Sequence, residues 1–148
     1  MARFIKETDY AGNIKAEIKK LLTGTVDSTI STAQIRAEDT AIATVREYIG
    51  GLYDCDAIFT PMPDGATTDT RNLHIVKIVI ALALFDLYQQ TGVRDVPEHR
   101  KVAYDDAISW LKDAGRGDIK TTLPVLPEVD GQITDILITS RTPRQWKW

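Results

Sequence analysis

Residues 72–90 read NLHIVKIVIALALFDLYQQ, and this run decides the fold. Leu73, Ile75, Val76, Ile78, Val79, Ile80, Leu82, Leu84, Phe85, Leu87 and Tyr88 would put apolar side chains on nearly every face of a helix. All-round apolarity means burial by neighbours on several sides. The β-branched residues from Ile75 to Ile80 also suit a strand. The Ala/Leu pattern continues to Gln90 without a turn signal, which selects helix, and Gly92 stops it. The most apolar part, Ile78 to Phe85, is eight residues between Lys77 and Asp86. A membrane span needs about 20. The run is therefore expected to be the core helix of a membrane-free protein.

A helix buried on all sides needs partners. Upstream, Ser31 offers a cap with Gln34 three residues later, the spacing of a capping box. Ile35, Ile42, Val45, Ile49 and Leu52 then recur at helical spacing, with Glu38, Asp39, Arg46 and Glu47 on the expected outer face. Gly50-Gly51 weakens the last turns, and the helix closes near Tyr53. Downstream, Asp95 and Glu98 form a second capping-box pattern, with Pro97 in the first turn. Tyr104, Ala107, Ile108 and Leu111 make its stripe, Ala103 and Trp110 flank it, and Gly115 and Gly117 end it. A shorter helix is expected at 13–22, where Ile14, Ile18, Leu21 and Leu22 oppose Lys15, Lys19 and Lys20 before Thr23-Gly24.

Two stretches resist a periodic reading. Residues 55–71 hold Pro61, Pro63, Asp64-Gly65 and a Thr/Asp cluster, and read as a long loop. Residues 118–148 contain Pro124, Pro127 and Pro143, which exclude a long helix. Ile133, Ile136, Leu137 and Ile138 make 132–140 a candidate short strand.

Composition bounds the function. The 148 residues are 43% apolar and 26% charged, with a net charge of −3. That is ordinary for one globular domain and unlike a duplex-DNA reader with a basic excess. Residues 1–10 carry Arg3, Lys6, Glu7 and Asp9 and lack the apolar run of a signal peptide. One Cys and two His are too few for a four-ligand zinc site, and the lone Cys has no internal disulfide partner.

Local chemistry is sparse. Cys55 has no His beside it in sequence and reads as structural. Asp54 and Asp56 fail the calcium-loop pattern, with Phe59 at its sixth position and Gly65 at its twelfth. Adjacent Asp105 and Asp106 point about 100° apart on a helix and read as a solvated face. Phosphate loops, nucleophile elbows and two-His metal helices are missing from the sequence. The expectation is a non-enzyme with no cofactor and no metal.

Charge distribution says more than total charge. Residues 38–70 hold Glu38, Asp39, Glu47, Asp54, Asp56, Asp64 and Asp69 against Arg46 alone. Residues 136–148 hold Arg141, Arg144 and Lys147 with no acid. Trp146 and Trp148 flank Lys147 at the end of the sequence, where burial in the protein's own core is hard to arrange. Trp and Arg are the residues most enriched at interface hot spots. Arg141, Arg144, Trp146, Lys147 and Trp148 are therefore the candidate partner-binding residues. An acidic middle and a basic, aromatic arm suit association with copies of the same chain or with a partner.

The element order resembles the small helical head–tail connector (adaptor) proteins of tailed phages, in particular the uncharacterised family of Mu-like phages and prophages. The residues that carry the likeness are Arg46-Glu-Tyr-Ile-Gly-Gly-Leu-Tyr53, Phe85-Asp-Leu-Tyr88 and Tyr104-Asp-Asp-Ala-Ile-Ser-Trp-Leu111. A Gly-containing stretch with Leu-Pro (117–124) and a Ser-Arg tail with a terminal aromatic (140–148) extend it. The likeness covers residues 32–124, and none of its motifs is catalytic. It implies a homo-oligomeric ring, often of twelve copies, in the neck of a virion assembled in the bacterial cytoplasm. Its partners would be the portal protein and the next neck or tail-completion protein. DNA would pass through the lumen without sequence-specific binding. The acids Glu38, Asp39, Glu47, Asp54, Asp56, Asp64 and Asp69 then become candidates for a lumen or acidic face.

The sequence thus predicts an all-α protein. Its expected form is a four-helix bundle with a long loop between the second and third helices. Residues 1–123 would form the helical domain and 124–148 an extended arm. A non-viral protein-binding module that docks through the arm is the alternative, and it predicts a small native mass where a ring predicts a large one.

Overall fold

The computed structural model describes residues 3–23, 31–63, 65–90 and 95–127. Within them the protein is all-α. The helices are α1 (Ala16–Thr23), α2 (Thr32–Ile49), α3 (Cys55–Ile58), α4 (Leu73–Gln90) and α5 (Glu98–Arg116), preceded by a 3-10 turn at Glu7–Tyr10. The arm residues 128–148, the candidate strand at 132–140, the stop at Gly92 and Asp64 lie outside the described residues.

Helix α4 is central. Asn72 Oδ1 accepts the amides of His74 and Ile75 at 3.0 and 3.2 Å, satisfying two donors at its start. Ten of its side chains are buried, from Ile75 to Tyr88. Its length and composition match a membrane-crossing helix, yet just over half of it is buried inside the protein. Helices α2 and α5 pack against α4 and against each other, and α1 touches α4.

Helix α2 starts as expected, with Ser31 Oγ accepting the Gln34 amide at 3.1 Å. The reciprocal half of the capping box is missing, because the Gln34 side chain donates to Glu38 and Glu7 instead. The buried face also needs correction. It is Gln34, Ala37, Glu38, Ala41, Val45 and Ile49, whereas Ile35 and Leu52 are exposed. Ala37 and Ala41 thus join Val45 and Ile49 of the expected stripe on the buried face, and Ile42 packs half-buried against the core.

Three further expectations are revised. Residues 55–58 form α3 instead of loop, because Asp54 Oδ1 caps it by accepting the amides of Asp56 and Ala57 at 3.1 Å each. Ile58, Phe59 and Met62 behind it are buried. Helix α1 begins at Ala16, later than the Asn13 expected, and Ile18 is exposed. The cap of α5 is Pro97, with no side-chain bond from Asp95. Its core positions Ala107, Leu111 and Ala114 continue the expected stripe, and Gly117 closes it at φ 78°, the left-handed geometry glycine favours.

The N-terminal segment is part of the core. Phe4, Ile5, Tyr10 and Ile14 are buried, and Phe4 meets Phe59 edge-on at 5.0 Å. At the other end, Val125 forms an antiparallel bridge with Tyr53. The Asp54 amide donates to the Pro124 carbonyl at 2.9 Å, and the Leu126 amide to that of Leu52 at 3.0 Å. Residues 124–126, the root of the arm, are thus fastened to residues 52–54 between α2 and α3.

Candidate functional site

The described acids of the middle region separate into two kinds. Asp39 and Glu47 are exposed on α2. Asp54 caps α3, and Asp56 pairs with Arg46 at 2.8 Å in solvent, an exposed pair of small energetic weight. Asp69 binds Arg71.

Glu38 departs most from expectation. It is only 3% exposed and cannot join an acidic surface in this structure. Tyr10 Oη donates to its Oε1 at 2.7 Å, Gln34 Nε2 donates to the same oxygen at 3.1 Å, and Arg3 pairs with Oε2. The phenol of Tyr10 is held well above its ordinary range, first by burial and then by the Glu38 charge. Lys19 sits over the Tyr10 ring at 4.8 Å and pairs with Glu7. Burial lowers the Lys19 pKa, partly opposed by Glu38.

A second buried cluster centres on Arg71. Its guanidinium donates to Asp9 at 2.7 and 3.1 Å, to Asp69 at 2.9 and 2.6 Å, and to the carbonyl of Phe4. Bonds from Arg71 pull the Asp69 carboxyl down to about 2. Both clusters bind the N-terminal segment to α2 and to the residues before α4. Their groups satisfy one another, which gives them a structural role.

Cys55 is buried, and burial pushes its thiol up, away from the reactive thiolate. Among the described residues no group of His, Cys, Asp and Glu could hold a metal ion.

An apolar concavity lies between α4 and α5. His74, Lys77, Ile78 and Ala81 line one wall, and Ala103, Asp106, Ala107 and Trp110 the other, around about 300 Å³. Each helix contributes positions i, i+3, i+4 and i+7, one face apiece. Buried Ile78 and Ala107 form the floor, and exposed His74, Lys77 and Asp106 form the rim. Trp110 meets His74 edge-on at 4.7 Å. A second hollow of about 230 Å³ continues from His74 and Trp110 to Asn72 and residues 120–123. Sequence reading ranked Trp110 as a flank of the core and Asp106 as solvated. The available signal was the shared face of His74, Lys77 and Ala81, which breaks the apolar surround of α4.

The candidate arm residues Arg141, Arg144, Trp146, Lys147 and Trp148 lie outside the described residues, while the arm's root is fixed by the Tyr53–Val125 bridge. Comparison of the chain with protein-family models, curated proteins and solved structures finds no match.

Proposed function

We propose that this chain is a structural subunit of a phage head–tail connector. It assembles into a ring beneath the portal and leaves DNA to pass without being read. In this reading α1, α2, α4 and α5 form the four-helix bundle, and the C-terminal arm engages the portal or the next neck protein.

The observation that supports it best is what the likeness-bearing residues do. Val45 and Ile49 in and before the 46–53 motif, Leu87 and Tyr88, and Ala107 and Leu111 are all core residues of one α2–α4–α5 unit. An adaptor needs a rigid packed core and an anchored arm, and the arm's root is hydrogen-bonded to that core at Leu52 and Asp54. Among the described acids, exposed and unpaired Asp39 and Glu47 on α2 are offered to a lumen first, with Asp56 exposed beside them in its pair with Arg46. Negative charge there would repel phosphate and remove the counterion-release attraction that slows a passing duplex.

Electron microscopy and native mass measurement of the full chain, alone and with its portal protein, test the proposal. A closed ring that binds the portal is expected. A chain that stays monomeric and never binds the portal overturns it. Truncation after Ser140 tests the arm, because truncated protein that still joins heads to tails normally removes the arm's role.

A further inference from the structure

We infer that the groove between α4 and α5 is the receptor for the Trp-containing segment Arg141–Trp148 of a neighbouring copy of this chain. This rests on the ring reading, assigns the arm's last eight residues to the neighbouring subunit in place of the portal or the next neck protein, and names the contact that would close the ring. The groove has an apolar floor, an aromatic wall at Trp110 and opposite charges on its two rims. Its volume of about 300 Å³ is at the small end of ligand pockets, the scale of one large side chain more than of a metabolite. The arm offers Trp146 and Trp148 as large apolar bodies, with Arg144 and Lys147 beside them. An indole on the Ile78–Ala107 floor would bring those cations within reach of Asp106. Lys77 on the opposite rim would then lie against the indole face, where a cation is attracted by the ring quadrupole.

The ring reading assigns the groove to a neighbour's arm, because a contact between copies closes a ring and a contact within one chain does not. Residues 120–123 touch the Trp110 end of the groove. The backbone is then fastened to the segment between α2 and α3 by the Asp54–Pro124 and Leu126–Leu52 hydrogen bonds. Twenty-one residues follow Pro127. At no more than about 3.3 Å per residue, a segment of this length is long enough to connect to a neighbouring copy.

The test is photo-crosslinking in the full-length protein. p-Benzoylphenylalanine replaces Trp148, and equal amounts of nitrogen-15-labelled and unlabelled chains are coassembled. Crosslinks to α4 between His74 and Ala81, or to α5 between Ala103 and Trp110, joining chains of unlike isotope, are expected. Ala103→Arg and Asp106→Lys should each abolish them while leaving the circular dichroism spectrum unchanged. Crosslinks confined to one chain, crosslinks elsewhere, or crosslinks that survive both groove variants overturn the inference. Native mass measured on the same samples keeps the two readings apart. A ring without groove crosslinks overturns this contact and leaves the ring standing, whereas a monomer overturns both.

Discussion

Gly115 of α5 presses directly on the backbone of Tyr48 in α2. A β-carbon at Gly115 would overlap the Tyr48 carbonyl oxygen and stand 3.2 Å from its carbonyl carbon. Both atoms belong to rigid helical backbone, so neither can swing aside. Gly115→Ala should therefore destabilise the protein by about 1–3 kcal/mol, the cost of overpacking, despite alanine's better helix propensity. Gly51→Ala is the control, because nothing lies within 4 Å of its β-carbon position. Urea midpoints of the two variants check the contrast, and equal stabilities would show that α2 and α5 do not approach this closely.

The Arg71 cluster predicts an acid-side effect. Arg71→Ala leaves Asp9 without its buried partner and should cost about 3–5 kcal/mol. Asp69 is more exposed, and its contribution is read best through pH. Its carboxyl is depressed from 3.8 to about 2 in the folded protein. A depressed carboxyl stabilises the fold above its unfolded value, and that stabilisation is lost as pH falls from 3.8 toward 2. Asp69→Asn should be less stable than the parent at neutral pH, and the gap should close across this window. A gap that stays constant with pH would remove the charged interaction.

At Glu38, the expected order of damage is Glu38→Ala above Tyr10→Phe. Loss of the carboxylate strands Arg3 and Tyr10 together and takes one of two acceptors from Gln34, about 3–5 kcal/mol for a broken buried pair. Loss of the phenol removes one bond to a charged acceptor, about 1.5–3 kcal/mol. The raised Tyr10 pKa adds a sign. Its stabilisation is complete below the ordinary value of 10.0 and declines as pH rises beyond it. Ultraviolet titration should show Tyr10 withheld from ionisation until the protein unfolds.

These sites also show how far the sequence was legible. The all-apolar face count identified α4, Ser31 marked the start of α2 and Gly117 the end of α5, because each signal is local. Glu38 was misplaced because a charge on an amphipathic helix normally faces solvent. Its partners Tyr10 and Arg3 lie 28 and 35 residues away and carry no local mark. Ala37 and Ala41 are buried where Ile35 is exposed, and small residues signal close helix approach only when the partner is known. The groove went unread for the same reason. Its two walls are ordinary helix faces until α4 and α5 are set side by side.

The acidic residues supply the sharpest test of the connector reading. With Glu38 buried and Asp54, Asp56 and Asp69 engaged, Asp39 and Glu47 remain as exposed acids of α2. If they line a lumen, Asp39→Lys with Glu47→Lys should barely alter folding, because exposed substitutions usually lie within about 0.5 kcal/mol of neutral. Assembly mass should be unchanged, since a lumen face touches no neighbouring subunit. Affinity for duplex DNA should rise, and it should fall steeply with added salt, since each phosphate neutralised releases counterions. Filter retention of DNA by the assembled protein, measured across a salt series, reads this directly. Loss of assembly in the double variant would instead place this face of α2 at a subunit contact. An intact assembly whose DNA retention is as weak as the parent's would place it on the outside of the ring.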